Sequence, residues 1–136
     1  MPRRKAASPD SLRGVHVFVV DDEPPSLELV SKPLEYHGAL VTTCRTLQAP
    51  RLMSHVMPNV VVIEVPAADD RAYALVRQIR AATPKRGVPV PAIALIPLGS
   101  SVNARPIASR GFRASLPQPY HVRELCETIL SVMSSR

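Results

Sequence analysis

The stretch of sequence that decides the fold is residues 15–25, which read VHVFVVDDEPP. Its first six residues include four valines and a phenylalanine, and the run ends abruptly in a polar turn that begins with Asp21 and Asp22. A short apolar run that meets such a turn is typical of a strand buried on both faces. The stretch therefore predicts a buried first strand with two acidic side chains at its carboxyl end.

The alternation of strand and helix continues along the chain. Apolar residues recur at helical spacing from Leu27 to Tyr36, and Gly38 then supplies a stop. Five strand-then-helix units with apolar strands predict an α/β fold, in which helices cover both faces of a doubly wound, five-stranded parallel sheet. The remaining predicted strands are 39–43, 60–63, 91–96 and 111–116, and the remaining helices are 47–56, 68–82, 103–110 and 120–133.

Two prolines fall inside predicted helices. Pro33 removes a backbone hydrogen bond from the first helix, so we expect a kink or a break near Val30. Pro106 is expected to shorten the predicted helix at 103–110 for the same reason.

Length and composition predict a single water-soluble domain. The chain has 136 residues, of which 46% are hydrophobic and 21% are charged. No apolar run approaches the roughly 18 residues needed to span a bilayer, so we expect no membrane association and a cytoplasmic location. Residues 1–12 lack periodicity and are expected to be a flexible basic tail, which leaves 13–136 as the folded domain.

The acidic residues at the strand ends form the candidate site. Asp21 and Asp22 follow the first strand, and Glu64 ends the third. The carboxyl ends of parallel strands meet at one edge of the sheet, which is where such folds bind their ligands. Because three neighbouring carboxylates repel one another unless a cation offsets their charge, the pattern predicts an Mg²⁺ site, with Asp22 and Glu64 as metal ligands.

Several segments resemble the receiver domains of bacterial response regulators. The acidic pair in residues 19–24 is similar to their opening motif, and residues 58–65, PNVVVIEV, resemble the segment that carries the phosphoacceptor. Residues 90–95 and 111–120 are similar to the fourth strand and to the last strand with its turn. The resemblance runs in order from about residue 14 to 134. It implies a flavodoxin-like receiver fold and a place in two-component phosphorelay signalling, with Mg²⁺ as cofactor and a sensor histidine kinase or another signalling protein as partner.

The resemblance fails at the positions that handle the phosphoryl group. Glu64 stands where the family has its acceptor aspartate, and Gln118 stands where it has a lysine. Ile96 matches the position of the hydroxyl residue that binds the phosphoryl oxygen, and Ser115 matches the switch aromatic. Because charge neutralisation and oriented donors stabilise phosphoryl transfer, these departures predict that Glu64 is not an ordinary acceptor.

The first hypothesis is therefore an atypical, stand-alone, single-domain receiver that acts by protein–protein contact and forms a homodimer. Glu64 would act in it as a partial mimic of the charged, phosphorylated state. The alternative is phosphotransfer from a sensor histidine kinase to Asp21, Asp22 or Asp70. Asp69 and Asp70 follow the third strand, where they could also cap the next helix.

Two further functions receive less support from the sequence. The net charge of +6 would suit a nucleic-acid-associated adaptor, but the basic residues are scattered rather than clustered. No Ser/His/Asp set, Cys/His set or glycine-rich phosphate loop is present, so we do not expect an enzyme. Cys44 and Cys126 lie far apart in sequence, so neither a disulfide framework nor a zinc site is expected.

Overall fold

The computed structural model of the chain describes residues 10–66, 70–82, 89–100 and 111–134. A short 3₁₀ turn at Thr46–Gln48 precedes the second helix. The strands are β1 His16–Val20, β2 Leu40–Cys44, β3 Val60–Glu64, β4 Ala92–Ile96 and β5 Ala114–Pro117. The helices are α1 Pro24–Tyr36, α2 Ala49–Met53, α3 Asp70–Ala82 and α4 Val122–Ser134. The helix predicted at 103–110, with Pro106, lies outside the described residues.

The five strands form one parallel sheet in the order β2-β1-β3-β4-β5. The chain moves outward from β1 to β2 and then crosses back to β3, so the winding direction reverses between β1 and β3. Val20 at the end of β1 pairs with Ile63 near the end of β3. This reversal opens a crevice at the carboxyl ends of the two strands, where Asp21 and Glu64 follow the paired residues.

The sheet is covered on both faces, as its apolar strands predict. Side chains alternate along each strand, so Phe18 and Val20 face one core while Val17 and Val19 face the other. Helices α2 and α3 pack on the Phe18 face, and α1 and α4 pack on the opposite face. The doubly wound α/β fold expected from the sequence is confirmed.

Helix α1 does not break near Val30, one of the two outcomes, a kink or a break, that Pro33 was expected to cause. It runs without interruption from Pro24 to Tyr36, with Pro33 inside it. Val30 and Leu34 are buried against the sheet, and this packing holds the helix together across the missing hydrogen bond. Because Pro33 has no amide hydrogen, the carbonyl of Leu29 lacks its usual helical partner. Leu29 is 77% exposed, which places it on the solvent side of the helix.

Residues that precede the predicted boundary between residues 12 and 13 pack into the domain. Leu12 is fully buried in the core on the α1 and α4 face, and its amide donates a 2.8 Å hydrogen bond to the carbonyl of His37. Residues 10–12 therefore belong to the domain, because the apolar side chain of Leu12 completes its core. Among the described residues, no helix is long and apolar enough to cross a membrane.

Candidate functional site

Asp21 is fixed by the turn that joins β1 to α1. It follows the last residue of β1, and only 8% of its surface is exposed. Its amide donates to the carbonyl of Cys44, 3.1 Å away, and its Oδ1 accepts a 3.0 Å hydrogen bond from the amide of Glu23. A main-chain amide thus binds Oδ1 of Asp21, whereas Oδ2 makes no such bond.

Glu64 lies beside Asp21 because the register of β1 and β3 brings their ends together. The two carboxyl groups are within hydrogen-bonding reach of each other, and the hydroxyl of Ser26 also reaches Glu64. Burial raises the pKa of Glu64 to about 8, and the hydrogen bond and negative charge of Asp21 add to this rise, which the Ser26 hydroxyl opposes. Glu64 is therefore largely protonated at neutral pH.

Two oxygens of this pair face no protein donor in the described part of the chain. They are Oδ2 of Asp21 and Oε2 of Glu64, and both are buried. An unsatisfied buried carboxylate oxygen is costly, and the proton that Glu64 retains is a donor within hydrogen-bonding reach of Asp21.

Asp22 is engaged on the other side of the turn. Its Oδ1 accepts a 2.9 Å hydrogen bond from the amide of Thr46, and its Oδ2 accepts a 3.0 Å bond from the Thr46 hydroxyl. Asp22 thereby ties the β1–α1 turn to the 3₁₀ turn after β2. The two aspartates, which are adjacent in sequence, have different structural roles.

A cleft of about 430 Å³ opens above these residues. Its acidic side is formed by Asp21, Asp22, Glu23 and Glu64, and Arg71 of α3 contributes the one cation among the described residues that line it. The other lining residues are small polar or apolar groups, namely Ser26, Thr46, Ile63, Pro66, Ala72, Leu75 and Pro97.

Comparison of this structure with solved structures identifies the architecture. FixJ-N matches with a TM-score of 0.76 and 18% identity, covering 91% of this chain and 97% of that one. A response regulator receiver domain protein from Clostridium thermocellum matches with a TM-score of 0.74 and 22% identity, covering 88% of this chain and 94% of that one. The chain has the receiver fold. The resemblance drawn from its sequence is confirmed at this level.

Comparison of sequences identifies less than comparison of structures does. No family model matches the chain. An uncharacterized 14.6 kDa protein in the sodA1 3′ region of Leptolyngbya boryana is 28% identical over 120 residues, which cover 88% of this chain and 90% of that protein. One structural match is to a much longer chain. NtrX from Brucella abortus matches with a TM-score of 0.71 and 20% identity, and the match covers only 27% of that chain.

A receiver fold raises the question of a magnesium ion. The receiver domain of the sensor histidine kinase PA1611 from Pseudomonas aeruginosa PAO1, solved with magnesium in its active-site cleft, matches with a TM-score of 0.71 and 22% identity, covering 90% of this chain and 99% of that one. Here Thr46 occupies both oxygens of Asp22, and no three His, Cys, Asp or Glu side chains in the described ranges are placed to hold a metal. The described residues therefore form no group of three metal-ligating side chains, whereas Mg²⁺, which keeps several waters, needs only one or two carboxylates.

The sequence resemblance matches Ile96, Ser115 and Gln118 to the positions that handle the phosphoryl group. Ile96 is buried at the end of β4, and its carbonyl accepts a 2.8 Å hydrogen bond from the amide of Gln118. The side chain of Gln118 hydrogen-bonds Tyr120, whose pKa is raised chiefly by burial. Ser115 is half-buried in β5. None of these three side chains carries a charge.

The structure brings together part of the predicted set and adds residues that the sequence did not single out. Asp21, Asp22 and Glu64 line one cleft, as predicted. Asp69 lies outside the described residues, and Asp70 begins α3 with only its backbone described. Ser26, Thr46 and Arg71 were missed, because their roles depend on which turns the fold brings to the cleft. No local sequence pattern indicates these contacts.

Proposed function

We propose that this chain is an atypical receiver module of two-component signalling that acts by contact with another protein, without accepting a phosphoryl group on Glu64 and without catalysing a reaction. The carrying observation is the Asp21–Glu64 pair, in which burial raises the pKa of Glu64 so that this residue is largely protonated at neutral pH. A protonated carboxyl group is a poor nucleophile, so the acceptor position is chemically silent under these conditions.

The surroundings of Glu64 support the same conclusion. In-line transfer requires a deprotonated acceptor, cationic neutralisation and oriented donors. Ile96 supplies no donor, and Gln118, which stands in place of the family's lysine, supplies no charge. The longer side chain of Glu64 also moves the carboxyl group by about one C–C bond from the place of an aspartate, in a geometry that tolerates little error.

The raised pKa of Glu64 also changes the hypothesis that this residue mimics a phosphorylated aspartate. A glutamate that imitates a phosphorylated aspartate must carry negative charge. Glu64 is largely protonated at neutral pH, so it carries little of that charge. We therefore propose that this end of the fold presents a fixed, partly neutralised surface to the partner rather than an imitation of the active state.

The remaining acceptor candidates that can be assessed are hydrogen-bonded or buried. Asp22 accepts two hydrogen bonds from Thr46, and Asp21 is 8% exposed and its Oδ1 is bonded to the amide of Glu23. Transfer to Asp22 would have to break its bonds with Thr46, and transfer to Asp21 would have to reach its buried Oδ2. The contacts therefore favour a phosphorylation-independent module over the alternative acceptors.

Phosphotransfer tests the proposal directly. The chain is incubated with Mg²⁺ and a ³²P-labelled, autophosphorylated sensor histidine kinase, and FixJ-N serves as the positive control. We expect no label on the wild-type chain and none on Glu64→Asp, because Gln118 and Ile96 remain. The double variant Glu64→Asp, Gln118→Lys tests whether restoring a cation restores chemistry.

Label on the wild-type chain would contradict the proposal. Loss of that label in Glu64→Gln would make Glu64 the acceptor, and loss in Asp22→Asn or Asp70→Asn would support the alternative acceptors. Sedimentation equilibrium of the same proteins tests the proposed homodimer. A monomer at all concentrations would remove the dimer from the proposal.

A further inference from the structure

Strand β2 forms one edge of the sheet, and no described strand lies beyond it. The amide of Leu40 and the carbonyl of Cys44 hydrogen-bond to the residues that flank β1, so both residues direct their backbone groups towards β1. Because the residues of a strand direct these groups alternately to its two sides, Val41 and Thr43 direct theirs away from the sheet. The outer edge of β2 therefore presents two amide donors and two carbonyl acceptors.

β2 lacks the features with which proteins protect an exposed edge. Its residues, LVTTC, include no charged residue and no proline, and three of them are β-branched. Natural edge strands use charged side chains and proline to prevent pairing with a further strand, whereas β-branched residues favour pairing. The opposite edge strand, β5, has some of this protection, because it ends in Pro117. Of these two edges, β2 is the one suited to an added strand.

Exposed apolar side chains lie at both ends of β2. Leu40, the first residue of the strand, is 65% exposed, and Tyr36, the last residue of α1, is also exposed. Leu47, in the turn after the strand, is almost fully exposed. Single exposed apolar side chains are common, but three beside one unprotected edge indicate a surface that another chain covers.

A second copy of the chain fits this edge in an antiparallel arrangement. With a twofold axis at Thr42, Val41 of each copy lies opposite Thr43 of the other, and the two residues exchange both backbone hydrogen bonds. Leu40 of each copy then lies opposite the end of the other copy's strand, beside the turn that carries Leu47. The exposed backbone groups and the exposed apolar side chains are thus covered by the same arrangement.

The charges at the two ends of β2 complement one another across this axis. Arg45 follows β2 in an extended conformation, so its side chain points, like that of Val41, to the face of the sheet that α1 covers. Glu35 is exposed in the last turn of α1, at the opposite end of β2, and that turn contains no basic residue. The axis brings Arg45 of each copy to the end at which Glu35 and the last carbonyls of α1 lie in the other. This complementarity favours a second copy over a strand of an unrelated protein.

We propose that a second copy of this chain pairs with the outer edge of β2, antiparallel to it, so that one continuous sheet runs through both copies. The inference deepens the proposed function, on which it rests in one respect: it names the surface through which the proposed homodimer forms. Recognition comes from the outward backbone groups of Val41 and Thr43, and the apolar and charged side chains at the ends of β2 fix the register.

Sedimentation equilibrium of the full chain measures the pairing. We expect a dissociation constant on the order of 50 µM, because a strand edge with a few apolar side chains makes an interface smaller than the usual area of about 1,600 Å². Amide exchange measured by NMR locates the interface without any variant. The amides of Val41 and Thr43 should exchange about threefold more slowly at about 1 mM protein than at about 50 µM, since mass action favours the paired chain. The amide of Ala114, which points outward from β5, should exchange equally fast at both concentrations.

Proline substitutions test the edge itself. Thr43→Pro removes an outward donor and leaves the hydrogen bonds between β2 and β1 in place, so it should weaken the pairing about tenfold. Ala114→Pro, the matched control, removes an outward donor of β5 and should change the dissociation constant by less than about twofold. Equal weakening by both variants, or amide exchange at Val41 and Thr43 that does not depend on concentration, would overturn the proposal.

Charge reversal tests the antiparallel register. Arg45→Glu and Glu35→Arg each bring like charges together across the twofold axis, so each should weaken the pairing about threefold. The double variant restores opposite charges and should return the dissociation constant to within about twofold of the wild-type value. Losses that simply add in the double variant would overturn this register.

The outcomes separate this inference from the proposed function. A chain that stays monomeric at about 1 mM would overturn the second copy as the occupant and leave the β2 edge to a strand of another protein. A dimer that Thr43→Pro leaves intact would overturn the edge as its interface but keep the homodimer. Phosphoryl label on Glu64 would remove the phosphorylation-independent function and leave the β2 interface standing.

Discussion

Thr46 holds both carboxylate oxygens of Asp22, through its amide at 2.9 Å and its hydroxyl at 3.0 Å. The two residues are separated by 24 positions in sequence, yet this contact connects the β1–α1 turn to the turn after β2. It gives Asp22 a structural role and leaves the chemistry of the cleft to Asp21 and Glu64. Adjacent acidic residues at a strand end therefore do not have equivalent functions.

The variant Thr46→Val tests this contact. It removes the hydroxyl donor, keeps the amide donor and keeps a β-branched side chain, so about 1 kcal/mol of unfolding free energy should be lost. Urea unfolding at pH 7 measures the change. Thr43→Val, at an exposed position in β2, is the matched control and should change the free energy by less than about 0.5 kcal/mol. Equal losses in both variants would show that the Asp22 contact contributes no stability.

Glu64 predicts a pH dependence of stability. Its pKa is about 8 in the folded chain against an ordinary 4.5, so the folded state binds more protons than the unfolded state between these two values. Its contribution to stability is therefore full below about pH 4.5 and is lost as the pH rises to about 8.

Unfolding of the wild type and of Glu64→Gln at pH 5, 7 and 9 measures this dependence. The free energy of unfolding of the wild type should fall relative to the variant as the pH rises, because glutamine cannot ionise. Glu28→Gln provides the control for loss of an exposed carboxyl group. A constant difference between wild type and Glu64→Gln across this range would contradict the raised pKa.

Leu12 is predicted to be a core residue despite its position near the amino terminus. Leu12→Ala should lower the free energy of unfolding by about 2–5 kcal/mol, because it leaves a cavity among fully buried side chains. Leu47→Ala is the matched control, since Leu47 is 94% exposed, and it should cost less than about 0.5 kcal/mol. A small loss of unfolding free energy in Leu12→Ala would contradict this role and favour a domain that begins at residue 13.

Pro33 offers a stabilising substitution. Pro33→Ala restores the amide donor for the carbonyl of Leu29 and removes the clash of the proline ring with that carbonyl. We therefore expect the free energy of unfolding to rise by about 1–3 kcal/mol. Pro25→Ala, in the first turn of the same helix, should give no gain, because an amide there has no partner within the helix. Thermal unfolding of both variants distinguishes the two positions. A gain at Pro25 equal to that at Pro33 would contradict this explanation.

The sequence alone determined the layout of the fold. Apolar runs such as residues 60–63 are typical of strands buried between two layers of helices, so the runs of β1, β3 and β4, within five strand–helix units, specified the parallel sheet and its two covered faces. The position of the acidic cleft followed, because strands that end in Asp21 and Glu64 meet at the switch point of such a sheet. These inferences depend on local periodicity, which a sequence displays directly.

Only the tertiary structure decided what the acidic residues do. Whether Asp22 faces the cleft or Thr46, and whether Glu64 keeps its proton, depends on distances between turns that are remote in sequence. The uninterrupted path of α1 through Pro33 and the burial of Leu12 were likewise set by packing against the sheet. Electrostatic energies and packing depend on three-dimensional separation and solvent exclusion, and neither is encoded in the local pattern of residues.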